Sequence, residues 1–387
     1  MRIFISTGEV SGDLQGSLLI KALKAEAASQ QLDLELVGLG GDKMATAGLE
    51  LIANTAAIGS VGLTESLQFI LPTWKIQQRV KLYLKEFPVD LLVLIDYMGP
   101  NLTIARYLRK TYPELPIVYY IAPQAWVWSP TQREAPQIMA VTDRLLAIFP
   151  GEAEFFQKQG LAVSWVGHPL IDRINREAPE RDAARAELGI QPDDQVVTLL
   201  PASRVQELQY LLPVIAEAAQ KLYQQQPALK FLLPVSLSRY RDRIEQLLSN
   251  YSFPVELLPG EQTLTAIAAA DLAITKSGTV NLEIALLNVP QVILYRVSPL
   301  TMWIARRVLN FDLPFVSPPN IVLSRGIVPE LLQEAANADA IFQESLSLLL
   351  DQEKRQQILK DYQELKQALG EPGVCERAAQ EILQVLN

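Results

Sequence analysis

Short apolar runs alternate with longer helical patterns along this chain, and that alternation narrows its fold more than any other feature. IFIS at 3–6 is followed by LELVGLG at 34–40, LLVLID at 91–96, IVYYIA at 117–122, RLLAIF at 144–149 and VSWVG at 163–167. Stretches with helical spacing separate most of these runs, which is the rhythm of βαβ units and a parallel sheet. A polar, charge-rich interval follows at 168–192, and the rhythm restarts with VVTLLP at 196–201. KFLLPV at 230–235, VELLPG at 255–260, DLAITKSG at 271–278 and PQVILYR at 290–296 continue it. The chain therefore reads as an α/β protein with two Rossmann-like domains facing a central cleft. We expect one domain over 1–168, a second over 169–360, and a closing C-terminal helix over 361–387 that packs back on the first. Ligands of open parallel sheets bind outside the carboxyl ends of the strands, so the informative residues should follow strands directly.

Composition excludes several classes. One cysteine (Cys375) rules out an internal disulfide framework, and one histidine (His168) rules out a His-rich metal centre. Both fit a reducing cytosol, and neither a metal nor another cofactor is expected. A formal net charge of −9 makes nucleic acid an improbable main partner. The chain enters its first strand without a basic, apolar leader, and no apolar run approaches the ~18 residues of a membrane span.

Four post-strand loops are chemically unusual. GEVSGD at 8–13 has the strand–glycine–helix form of a phosphate cradle, yet Glu9 and Asp13 would repel an anion there. In TKSGTVNLE, Lys276, Ser277, Gly278 and Thr279 open a helix and favour a phosphate. Glu283, one turn later, could accept both hydroxyls of a ribose. A plain turn with a solvated Glu283 fits the same residues, and the spacing leaves both readings open. Arg204 in LPASRVQE suits a diphosphate or, equally, a surface pair with Glu207. Asp96 ends an apolar strand, where a carboxylate is costly unless it acts as a base or caps the next turn. Asn101 could orient a ligand hydroxyl, and His168 lies at the supposed hinge, where a lone histidine is as readily structural as functional.

Residues 58–87 carry a different signal. Val61, Leu63, Leu67, Phe69, Ile70, Leu71 and Trp74 precede Lys75, Arg79, Lys81 and Lys85. An apolar stretch ending in Trp and followed by cations resembles a segment lying in a membrane interface. A helix pair packed on the sheet explains the same pattern. The segment at 298–311, with Met302, Trp303, Arg306 and Arg307, has the same two explanations.

Eight motifs occur in order: GEVSGD at 8–13, VGLTESL at 61–67, LID at 94–96, IAPQAWVW at 121–128, VGHPLID at 166–172, LPASR at 200–204, SGTVNLE at 277–283 and PPNIVLSRGIVPELLQ at 318–333. Over essentially the whole chain they resemble the lipid-A-disaccharide synthase family, hexosyltransferases of GT-B architecture. The resemblance implies an inverting transfer from UDP-2,3-diacylglucosamine to 2,3-diacylglucosamine 1-phosphate, giving a β-1,6 disaccharide and UDP. It implies Asp96 as general base with Glu9 competing for that role. Substrate or UDP contacts would come from Arg204, Lys276, Ser277, Gly278, Thr279, Glu283, Asn320, Ser11, Asn101 and His168. It also implies a cytoplasmic enzyme peripherally bound to the inner membrane, and allows a homodimer. The sequence departs from the family pattern at Tyr97-Met98-Gly99-Pro100, where a second acid is absent, and at Ala202, Ala122 and Leu323-Ser324. The alternatives are a soluble sugar-nucleotide epimerase of the same fold and a non-catalytic lipid- or nucleotide-binding relative.

Overall fold

A computed structural model of the chain describes residues 1–8, 10–55, 70–127, 132–201, 205–297, 302–303, 307 and 313–386. The chain forms two compact units. Unit 1 comprises Met1–Asp172 with Leu369–Asn387, and unit 2 is Arg173–Ala368.

Unit 1 carries a seven-stranded sheet of β1 (Arg2–Ser6), β2 (Glu35–Gly40), β3 (Glu50–Asn54), β4 (Leu91–Ile95), β5 (Ile117–Tyr120), β6 (Arg144–Ala147) and β7 (Val163–Trp165), in the order β3-β2-β1-β4-β5-β6-β7. Every pairing is parallel. Parallel strands are covered on both faces, which is why they read as unbroken apolar runs. All five residues of β4, LLVLI, have zero exposure. Burying each such side chain contributes about 1.5–3 kcal/mol. One layer of the core sets Phe4, Leu92, Leu94 and Tyr119 against Val80, Leu84, Ile104 and Leu108 of the helices Ile70–Glu86 and Met98–Thr111.

Unit 2 carries a six-stranded sheet of β8 (Val196–Leu200), β9 (Lys230–Val235), β10 (Val255–Pro259), β11 (Leu272–Lys276), β12 (Gln291–Tyr295) and β13 (Glu330–Leu332), ordered β10-β9-β8-β11-β12-β13. Its pairings are again all parallel. Strands β3 and β13 fall outside the apolar runs read from the sequence. Both are edge strands with several half-buried positions, so neither needs a continuous apolar stretch.

The two chain crossings between the units are tied together within unit 1. His168 N–H donates to Leu369 O at 2.7 Å. Gly167 (φ 91°) and Gly370 (φ 96°) have left-handed backbones, and a Cβ on Gly370 would lie 3.2 Å from Gly167 Cα. The Asp172 carboxylate accepts from Gly373 N (2.7 Å) and Cys375 N (2.9 Å), capping the helix Val374–Gln384. That helix packs on the helix Val10–Ser29. Its Glu381 also takes an ion pair from Arg144 at 2.6 Å and a hydrogen bond from Ser164 Oγ at 2.7 Å.

Candidate active site

In each unit the strand order reverses once, between β1 and β4 and between β8 and β11. Such reversals open a crevice at the carboxyl ends of the strands. The four loops singled out by their chemistry are the four that follow these strands: GEVSGD after β1, DYMGPN after β4, PASR after β8 and SGT after β11.

In unit 1 the loop after β4 carries Asp96, the predicted base. The residue is half-buried, and desolvation raises its carboxyl above the usual range against a lowering hydrogen bond from Tyr97 N–H. A carboxylate so destabilised is a stronger base. The local backbone is strained: φ is 48° at Asp96, 48° at Tyr97 and 58° at Ile121, the residue after β5. Left-handed backbone at non-glycine residues costs on the order of 1–3 kcal/mol each and persists where surrounding structure enforces it. Here Asp96 N–H donates to Ile121 O at 3.0 Å, so the three strained residues form one unit.

Other predicted residues have clear positions. Asn101 is fully buried. It accepts from Ser6 Oγ (2.7 Å) and donates to Ile95 O (3.1 Å) and Asp96 O (2.7 Å), which braces β1 against β4 beneath the site. Asp13, read from sequence as a second carboxylate of the loop, instead accepts from Gly41 N, Lys43 N and Met44 N at 2.8, 3.2 and 3.0 Å. It caps the helix Asp42–Ala47, which resolves half of the charge problem in GEVSGD. Gly8 is required by close approach: a Cβ there would lie 2.0 Å from the Tyr97 ring. Ser11 is exposed in the first turn of its helix. His168 is buried beside Phe149, with ring centroids 5.2 Å apart, and its Nδ1 accepts from Leu170 N at 3.2 Å. Burial lowers its pKa to about 3, so the imidazole is neutral at physiological pH.

In unit 2, Lys276, Ser277 and Gly278 are partly exposed and Thr279 is exposed, while Glu283 is buried, with 8% exposure. Lys276 Nζ lies over Gly278, 3.3 Å from where a Cβ would stand. Not every N–H expected to face a phosphate is available: Ser277 N–H donates to Leu294 O (2.8 Å) and Gly278 N–H to Asn281 Oδ1 (2.7 Å). Glu283 pairs with Arg173 at 2.5 Å, a partner sequence spacing could not suggest because 110 residues separate them. The PPN motif supports this loop. Ser277 Oγ donates to Val316 O (2.8 Å), and Glu330 accepts from Val316 N (2.6 Å), Ser317 N (3.1 Å), Ser317 Oγ and Asn320 Nδ2 (3.1 Å). Asn320 Oδ1 accepts from Ile327 N and Val328 N at 2.8 and 3.2 Å. Asn320 is thus a buried organiser of its own loop.

Glu9, Arg204, Val61, Leu63, Leu67 and Phe69 lie outside the described residues, and of Ile70 only the main chain is described. On the helix Ile70–Glu86, Leu71 and Trp74 are 69% and 58% exposed beside exposed Lys75 and Arg79. Leu82, 67% exposed, extends that face. Val80 and Leu84 turn inward. Among the described residues, no helix is long and apolar enough to cross a membrane.

A family model described as lipid-A-disaccharide synthetase matches residues 3–385. A lipid-A-disaccharide synthase of Synechocystis sp. is 74% identical over 387 residues, spanning 100% of this chain and 98% of the relative. One from Gloeothece citriformis is 56% identical over 383 residues, 99% of each. Among solved structures, UDP-GlcNAc 2-epimerase from Neisseria meningitidis bound to UDP-GlcNAc has a TM-score of 0.67 at 14% identity, over 99% of both chains. The S. aureus MnaA–UDP co-structure has 0.69 at 16%, over 100% of this chain and 97% of that one. At these identities the structural likeness shows the fold alone, which is of the GT-B kind.

Proposed function

The chain belongs to the lipid-A-disaccharide synthase family, and from that premise we propose that it transfers a 2,3-diacylglucosaminyl group from UDP to 2,3-diacylglucosamine 1-phosphate. Family membership favours this transferase reading over the epimerase alternative, whose support is a shared fold. The observation that carries the site assignment is the coincidence of the chemically unusual loops with the switch points of the two sheets.

In the proposed reaction, Asp96 takes the proton from the acceptor's 6-hydroxyl as that oxygen attacks C1 of the donor sugar. The new C1–O bond forms as the bond from C1 to the UDP oxygen breaks, and displacement from the opposite face inverts the anomeric centre. The raised pKa of Asp96 suits it to this step. Unit 2 takes the nucleotide. Lys276 and Arg204 offset charge on the departing diphosphate, Ser277 and Thr279 supply hydroxyls, and Glu283 accepts from the ribose. Glu9 remains the competing base.

The exposed Leu71, Trp74 and Leu82 beside Lys75 and Arg79 support a peripheral contact with the inner-membrane surface, where both acylated substrates reside. Comparing Asp96→Asn with Glu9→Gln for UDP release tests the base assignment. Asp96→Asn should lose turnover while retaining UDP binding; near-normal turnover, with activity lost in Glu9→Gln, moves the base to Glu9.

A further inference from the structure

The carbonyl oxygen of Asp96 has an unusual pair of partners. Tyr119 Oη donates to it at 2.8 Å and Asn101 Nδ2 at 2.7 Å. A carbonyl has two lone pairs, so both are occupied. On the other side of the same residue, Asp96 N–H is held by Ile121 O at 3.0 Å. Both peptide planes that flank the Asp96 Cα are therefore tied to β5 and its end, and the left-handed φ of 48° is imposed by these ties. Tyr119 is fully buried, and burial pushes its hydroxyl pKa up, so it stays a donor. Its ring belongs to the apolar layer under the switch point, which fixes where the hydroxyl can reach. Asn101 is anchored separately by Ser6 Oγ at 2.7 Å and by Ile95 O.

We propose that Tyr119, with Asn101 as its companion, is a positioning residue that holds the Asp96 backbone in its left-handed conformation and so aims the carboxylate at the acceptor hydroxyl. The inference rests on the reading of Asp96 as general base. Both residues are fully buried, and each reaches the Asp96 main chain. Removing the Tyr119 hydroxyl leaves one lone pair unfilled and lets the Asp96–Tyr97 peptide relax toward ordinary φ, moving the carboxylate while leaving the nucleotide loops of unit 2 untouched.

The test is a double-mutant cycle on the full chain with acylated donor and acceptor, reading kcat, acceptor KM and the Kd for UDP. Tyr119→Phe should lower kcat by roughly 10- to 100-fold, with KM and the UDP Kd within about twofold of wild type. Added to Asp96→Asn it should cause no further loss, because there is no base left to misplace. Ser6→Ala, which loosens only the Asn101 anchor, should give a smaller kcat loss with the same signature and keeps the proposal testable if Tyr119→Phe folds poorly. Wild-type kcat in both single variants overturns the positioning role, as does an equal loss from Tyr119→Phe in the Asp96→Asn background. Full activity of Asp96→Asn alone overturns the base assignment and this inference together.

Discussion

Glu330 gathers four donors, and the consequence of disturbing it can be worked out from their geometry. One oxygen accepts from Val316 N at 2.6 Å, and the other from Ser317 N, Ser317 Oγ and Asn320 Nδ2. Glu330→Gln has a single acceptor oxygen. The least disruptive orientation keeps that oxygen on the three-donor side, since Ser317 and Asn320 are only 0% and 1% exposed. The new NH2 then faces Val316 N–H, leaving one donor opposed by another. An unsatisfied, partly buried donor costs about 1–3 kcal/mol. Amide exchange at Val316 and Ser317 should therefore quicken by roughly 5- to 150-fold where local opening controls it. Hydrogen-exchange mass spectrometry of the peptide over 313–332 measures this directly. Exposed Glu334→Gln serves as the control and should change nothing. Because Ser277 Oγ donates to Val316 O, the same substitution should weaken UDP binding. Unchanged exchange in 313–332, or acceleration spread equally over strand β8, would mean that Glu330 does not hold this loop.

Other perturbations have equally direct expectations. Gly8→Ala puts a methyl 2.0 Å from the Tyr97 ring and should displace the residue next to Asp96, lowering kcat at least tenfold with UDP affinity retained; steady-state kinetics and UDP calorimetry read both. Glu152 is fully buried, one oxygen accepting from Ile148 N at 2.9 Å and the other without a partner, and burial raises its pKa to about 8. Its folded pKa exceeds the unfolded one, so the protein should lose stability as pH rises from about 4.5 toward 8, by a few kcal/mol at most. Glu152→Gln should flatten that slope in urea titrations across pH, and an unaltered slope would discredit the assignment. Replacing both Leu71 and Trp74 with Ser should reduce co-sedimentation with anionic vesicles by about tenfold or more while leaving UDP binding intact, given the apolar area they expose. Equal sedimentation of the variant would place any membrane contact elsewhere.

Much of the fold was legible because parallel strands covered on both faces read as near-continuous apolar runs, as LLVLI and Ile3-Phe4-Ile5 do. The same logic located the candidate site: loops after strands carried carboxylates, hydroxyls and cations that no core would need. Strands ELIAN and ELL escaped notice because edge positions tolerate polar, half-exposed residues. The side-chain roles that were not legible depend on partners far along the chain. Asp13 serves residues 41–44, Asn101 reaches Ser6 across 95 positions, and Arg173 meets Glu283 across 110. Tyr119 read as one more apolar strand residue, because only its hydroxyl's contact with Asp96 O distinguishes it. The left-handed backbone at Asp96, Tyr97 and Ile121 left no residue-type signal either, since none of the three is glycine.

The proposed reaction joins two acylated glucosamines with release of UDP. The direct measurement is incubation of the purified protein with UDP-2,3-diacylglucosamine and 2,3-diacylglucosamine 1-phosphate, quantifying UDP and the lipid product together. UDP and a β-1,6-linked tetraacyl disaccharide 1-phosphate should form in equal amounts, both dependent on the acceptor and both lost in Asp96→Asn. UDP release that ignores the acceptor, or a donor sugar altered without any disaccharide, would contradict this reaction.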